Sequence, residues 1–307
     1  MYADIEISDL ARAWTTRISQ TDHTINARYV LSLDTLEVDL EQRLGCGIRL
    51  LWHGIRDCTH CGTPTERHYG GEFCYECFTK LARCDLCVVS PDRCHHHLGT
   101  CRDESWAAGF CMDRHVVYLA KTSDVKVGIS SASRYPRRWV DQGARQAMVL
   151  AIAPSRRAAG MLEAYCAQVT QDKTDWRKLV RGHRSNINLL DLREQLMRRM
   201  NGFQNLLKQG YVAQPELAEL NELEWTGQTG VIDIHHPIEQ FSPPNRIQLD
   251  AQTSQYQGNL MGVLGHFLLF EDGAFDLSAH RHSAIGCQIF STKIARPETS
   301  SHQASLF

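Results

Sequence analysis

Nine of the chain's 12 cysteines fall between Cys58 and Cys111, and their spacing is that of metal ligands. Cys58 and Cys61 form one CxxC and Cys74 and Cys77 another, with 12 residues between the pairs. A CxxC turn presents two thiolates to one ion, and two such knuckles complete the tetrahedral shell of a structural zinc. Four cysteines leave no open coordination position, so the expected role is structural. In the group that follows, Cys84 and Cys87 form a further CxxC, and Cys94, His97, Cys101 and Cys111 compete for the remaining places. One tetrahedral ion cannot take them all, so two or three zinc ions are expected in a zinc-ribbon-like module over residues 58–114. Large aliphatics are few between Cys58 and Cys111, and metal binding should therefore supply much of this segment's folding free energy.

The bulk composition frames that expectation. A chain of 307 residues with 43% hydrophobic and 22% charged residues is ordinary for a soluble protein of two or three domains. No apolar run approaches the ~20 residues that cross a bilayer, so no membrane partner is expected. The opening MYADIEISDLARAW is acidic and lacks the apolar core of a secretory signal. A cytoplasmic location is the expectation, and there thiols stay reduced and paired CxxC spacings mean metal.

Net charge is −2, but its distribution is uneven. Residues 121–200 hold 16 Lys or Arg against 7 Asp or Glu, while the rest of the chain holds 17 against 28. A basic segment between acidic flanks points to a polyanionic partner. Within it Arg134, Arg137, Arg138, Arg156, Arg157, Lys173, Arg177 and Lys178 are interleaved with Tyr135, Trp139 and Trp176. Cations among aromatic planes suit phosphates and bases together. Arg134, Arg137, Arg138, Trp139, Lys173, Trp176 and Arg177 are accordingly the expected contacts to nucleic acid, DNA or RNA.

The elements around these residues follow from the pattern. HVVYLA reads as a buried strand, KTSD as a turn and VKVGIS as a second strand; a helix starts near Pro136, MVLAIA is a third strand, and RRAAGMLEAYCAQVT is a helix capped by Ser155. Here the chain resembles the GIY-YIG nuclease superfamily. VVY stands at the first motif triplet, matching Tyr118 to its tyrosine, and KVG stands at the second, matching Gly128. Lys126 replaces the second tyrosine. RRW resembles the helical arginine and points to Arg138; MLEAY resembles the later glutamate helix and points to Glu163. The asparagine that closes the motif in many members has no counterpart in DKTDWRKL.

That resemblance implies a small α/β domain over residues 115–182, with Tyr118, Arg138, Glu163 and Lys126 at a catalytic site. It implies Glu163 holding Mg²⁺ or Mn²⁺, and a metal-dependent endonuclease acting on phosphodiester bonds. The alternative is a non-catalytic nucleic-acid-binding zinc module with a degenerate site. The chain also resembles an uncharacterised bacterial zinc-cysteine family of unknown function, through the CTHCG knuckle, CDLC, VYLA with KVGI, RW with DQGA, and DKT with W.

The flanks complete an α+β multidomain expectation. Residues 1–57 carry short strand patterns (RYVLSL, GIRLLWHGI), and residues 183–222 hold a long amphipathic helix and an acidic connector. Residues 223–290 return to strands, and residues 291–307 read as a disordered tail. Neither β-rich end carries a full core alone, so the two are expected to combine, as a small barrel.

Overall fold

The computed structural model describes residues 5–168, 170, 174–208, 220, 222–226 and 230–293. Period-two apolar patterning near the N-terminus builds a long antiparallel pair, β1 (Ile5–Gln20) and β2 (Thr24–Leu33), with Thr16 opposite Tyr29. Along β2, Ile25, Ala27, Tyr29, Leu31 and Leu33 are all buried, putting every second side chain into one core. The short β3 (Glu37–Asp39) adds to β2, and β4 (Gly47–Ile55) follows. The Cys/His stretch then contributes no strand, only α1 (Tyr75–Lys80), α2 (Leu86–Val89) and α3 (Glu104–Phe110) among turns.

A second unit begins at β5 (His115–Lys121), which is flanked by β6 (Val125–Ser131) and β7 (Gln146–Ala153), both antiparallel to it. Between these strands lies α4 (Tyr135–Asp141), and α5 (Arg156–Ala167) follows β7. Ser155 caps α5, its Oγ accepting from the Ala158 amide at 3.1 Å. Next come α6 (Trp176–Val180) and α7 (Leu189–Lys208). Leu189, Leu192, Leu196 and Met200 bury one stripe of α7 against Leu162 and Cys166 of α5 and against Val117 and Leu119 of β5. The sequence continues this stripe through Phe203 and Leu207 and offers Gly210 as a helix stop; these lie outside the described side chains and residues.

The remaining strands are β8 (Glu224–Trp225), β9 (Ile232–His235), β10 (Arg246–Ile247), β11 (Gln255–Leu264), β12 (Phe267–Phe270), β13 (Ala274–Asp276) and β14 (Ser283–Phe290). Pairing runs in the order β10-β13-β12-β11-β4-β14-β1-β2-β9-β7-β5-β6, with β3 on β2 and β8 on β7. Strands from the two ends of the chain therefore share a sheet: β14 lies between β4 and β1. At β11 the sheet turns a corner. Its first half, Gln255–Asn259, pairs with β4, and its second half, Leu260–Leu264, pairs with β12. Two sheets result, one curled as a half-barrel.

The pairing also reaches further than the sequence led us to expect. β9 pairs in parallel with β2 and antiparallel with β7, which joins the half-barrel to the β5–β7 sheet. A hydrogen-bonded relay holds that junction. The Gly265 amide donates to Tyr29 Oη at 2.9 Å, Tyr29 Oη donates to His236 Nδ1 at 2.6 Å, and His236 Nε2 donates to the Ala144 carbonyl at 2.7 Å. Among the described residues no helix is long and apolar enough to cross a membrane.

Candidate functional site

Tyr118 stands in the middle of β5, opposite Gly128 of β6. Its ring is 1% exposed and lies directly across that glycine. A Cβ at position 128 would come within 2.6 Å of Tyr118 Oη, so the tyrosine occupies space that only a glycine leaves. From the end of α4, Gln142 Nε2 donates to Tyr118 Oη at 2.6 Å and to the Arg138 carbonyl at 2.9 Å. Trp139 packs edge-on against Tyr118, with ring centroids 5.9 Å apart. Burial pushes the Tyr118 phenol above its ordinary range, more than Arg138 and Gln142 pull it down. The phenol is therefore neutral near pH 7.

This pair forms the floor of an open cleft of about 400 Å³ along the free edge of β6. Tyr118, Lys126, Gly128, Arg134, Arg137, Arg138 and Glu163 all line it, together with Arg156 and with Val88, Pro91 and Phe110 of the Cys/His module. Local geometry explains the convergence. Lys126 and Gly128 alternate on β6 and so share a face. Arg134 stands at the N-cap position of α4, and Arg137 and Arg138 follow in its first turns. Glu163 lies two turns into α5, whose side packs on β6.

Among the described residues lining this cleft, Lys126, Arg134, Arg137, Arg138 and Arg156 face two carboxylates, Asp141 and Glu163. Such a balance favours an anionic ligand. The Nε atoms of Arg137 and Arg156 are buried without a hydrogen-bond partner among the described residues, and buried donors left unmet are costly. Arg156 is also a structural tie. Its Nη2 donates to the Val88 carbonyl at 2.6 Å and its guanidinium lies 5.2 Å over the Phe110 ring. One turn further along α5, a Cβ on Gly160 would lie 2.5 Å from Pro91 Cβ. The Cys/His module thus presses directly on the helix that carries Glu163.

Three expected nucleic-acid contacts are placed elsewhere. Trp139 is 1% exposed and belongs to the core, because the inner face of α4 packs its indole against Tyr118 and Tyr135. Trp176 and Arg177 lie outside this cleft; Arg177 stacks over the Trp176 ring at 4.8 Å. Lys173 lies outside the described residues.

Among the described residues two sets of side chains have ligand atoms mutually within 4.8 Å: Cys58, Cys61, Cys74 and Cys77, and Asp85, Cys87 and His95. In the first, Cys61 Sγ and Cys74 Sγ are 3.7 Å apart, and a tetrahedral shell with Zn–S near 2.3 Å needs sulfurs ~3.8 Å apart. Burial opposes ionisation of Cys58, but backbone N–H groups of Cys61, Cys74 and His60 outweigh it and hold the thiol down to about 6. Cys77 is pushed the other way by burial and by its neighbours. Four sulfurs clustered within 4.8 Å of one another suit a cation between them, and zinc fits this set.

The second set differs from the expected one. Asp85 carries several duties: Oδ1 accepts from the Cys87 amide at 3.4 Å and faces His95 Nε2 at 3.4 Å, and Oδ2 pairs with Arg102 at 2.7 Å. Cys87, Cys94, Cys101 and Cys111 surround a void of about 10 Å³ beside His95, close to the room that one bound water occupies. Burial raises Cys87 to about 12 and Cys111 to about 11, with Cys94 adding to both. Cys84 does not line this void. His97 is exposed and stands in neither set; the 3-10 turn His96–Leu98 carries it outward, and His95 takes the inward place.

Sequence reading passed over Gln142 and Asp85. Gln142 carried a signal, four residues after Arg138 and so on the same helix face. Asp85 lay inside the CDLC knuckle, where the cysteines drew the attention.

Residues 45–284 match the family described as "Protein of unknown function (DUF2797)". No curated protein and no solved structure matches the chain.

Proposed function

The chain belongs to the DUF2797 family, and from the cleft beside Tyr118 we propose a zinc-containing nucleic-acid-binding protein whose β5–α5 unit is a GIY-YIG-like domain. In this proposal the domain cuts phosphodiester bonds with Mg²⁺ or Mn²⁺. The observation that carries it is the convergence of Tyr118, Gly128, Arg138 and Glu163 on one cationic cleft. The order hairpin, helix, strand, helix, with β5 central between β6 and β7, supports it further.

Each residue has a chemical part. Glu163 would supply the hard oxygen ligand that Mg²⁺ or Mn²⁺ prefers, and the bound ion would contribute neutralisation of phosphate charge. Arg138 binds a second phosphate oxygen through charge-assisted hydrogen bonds and stabilises negative charge as it grows. Tyr118 is neutral and accepts from Gln142, so its own proton is donated to orient water or phosphate. Lys126 binds phosphate as a point charge. In this proposal the zinc at Cys58, Cys61, Cys74 and Cys77 is structural, and a second ion belongs with Cys87 beside Asp85 and His95, whose ligand atoms lie within 4.8 Å of one another.

Binding without cleavage is the second reading. Lys126 favours it, because a lysine stands where the superfamily has a tyrosine, and so does the buried, neutral Tyr118. Incubating the zinc-loaded protein with mixed DNA and RNA and Mn²⁺ separates the two. Cleavage that disappears in Glu163→Ala is expected of the enzyme. Binding with no cleavage supports the module, and neither binding nor cleavage overturns both.

A further inference from the structure

Beside the first cleft lies a second hollow of about 480 Å³, between α6 and the strands of the half-barrel. The two share Lys126, Arg138, Asp141 and Gln142, so they form one continuous groove. Three rings, Trp176, Phe267 and His266, lie along its far wall, and two arginines back Trp176. Arg177 and Arg246 lie 4.8 and 5.9 Å from the Trp176 centroid. Trp176 stacks on Phe267 with an interplanar angle of 21°, and Phe267 meets His266 at 4.4 Å. The run ends at His266, whose ring is tilted 37° from that of Phe267 and whose side chain is 37% exposed on the lining; Nδ1 lies 3.3 Å from the Asp141 carbonyl and Nε2 3.7 Å from Asp276 Oδ1. Arg281 stands exposed on the same lining. The nearby Asp276 is engaged, pairing with Arg246 at 2.7 Å and capping the Ser278 amide at 2.9 Å.

We propose that this groove holds a single-stranded stretch of nucleic acid next to the phosphate bound at Arg138, with a base stacked on His266 and a backbone phosphate at Arg281. The inference rests on the nucleic-acid reading of the first cleft and adds the substrate class: a duplex that carries an unpaired arm. The physical grounds are general. Unpaired bases expose π-faces that stack on aromatic planes, while cations track the backbone. A duplex buries those faces and gains nothing from such a wall. The groove also draws together α6, β12 and β13, which the first cleft leaves unused, and gives the half-barrel a part in substrate choice.

The test is fluorescence anisotropy of the full-length, zinc-loaded protein without added Mg²⁺ or Mn²⁺. The probes are a labelled blunt duplex and the same duplex with an unpaired arm of about eight nucleotides, within the range that one such site spans, each as DNA and as RNA. The armed probe is expected to bind about 5- to 100-fold more tightly, as one base–aromatic stack allows. His266→Ala should remove most of that advantage and leave blunt-duplex affinity unchanged. Arg281→Ala, at an exposed position, should reduce the advantage independently of any folding effect at His266. Equal affinity for blunt and armed probes overturns the inference and leaves the first cleft's role standing. So does an arm advantage that survives both substitutions. Failure to bind any probe overturns the nucleic-acid reading and this inference together.

Discussion

At the scale of single residues, the cleft depends on the fit between Tyr118 and Gly128. The hydroxyl is held within 2.6 Å of where a Cβ at 128 would sit, and in a well-packed interior that overlap has to move something. Gly128→Ala should cost about 1–3 kcal/mol of stability and displace the phenol from Gln142. A lowered urea midpoint with activity or binding reduced beyond the stability loss is the expected result; an unchanged midpoint would contradict the packing described. The hairpin that sets Tyr118 opposite Gly128 was readable in the sequence as two strand patterns around KTSD, because such a turn is a local feature. Trp139 was not, since an indole on a short, arginine-rich helix reads equally as surface or core, and only the packing of α4 against β5 and β6 decides. The same limit applies to His95 and His97. Neighbouring positions in a 3-10 turn point in different directions, and spacing alone does not say which points inward.

At the scale of elements, the Cys/His module serves α5. Gly160 meets Pro91 and Arg156 meets the Val88 carbonyl, so order in the module is passed to the helix holding Glu163. The module has little apolar core of its own, and metal binding would supply its folding free energy. Removing zinc with a strong chelator should abolish amide-exchange protection over residues 58–114, weaken it along α5, and leave β11–β14 protected. Elemental analysis finding no zinc, or protection unchanged after chelation, would contradict this coupling. The CxxC pairs announced the four-cysteine cluster because their spacing is local. Docking of the module on α5 was hidden, since it depends on a glycine with no visible pattern around it.

At the scale of the whole molecule, the long sheet joins parts that the sequence presented as separate segments. Composition suggested that the β-rich ends belong together, and β14 between β4 and β1 agrees. The splitting of β11 between two sheets and the parallel pairing of β2 with β9 are long-range events that no local pattern marks. The Tyr29–His236 relay at that junction has a pH consequence. Burial pushes His236 down to about 4, below the ~6.5 of an exposed histidine, so the unfolded chain binds the extra proton first. The contribution is fully present above pH ~6.5 and is lost as pH falls toward 4, by up to about 3 kcal/mol. His115, His266 and His282 are pushed down by burial as well and act in the same direction. Urea midpoints should fall between pH 7.5 and pH 5, and His236→Gln should flatten the profile around a lower midpoint. A wild-type profile that is level over that range would contradict the relay.

We propose that the cationic cleft beside Tyr118 binds the phosphates of nucleic acid. This proposal is tested most directly by the affinity of Arg137→Ala/Arg138→Ala for structured DNA and RNA, compared with wild type at two salt concentrations. Removing two arginine–phosphate ion pairs should weaken binding by at least about 10-fold and make its salt dependence shallower. Equal affinity and an equal salt slope in the double variant would contradict the account.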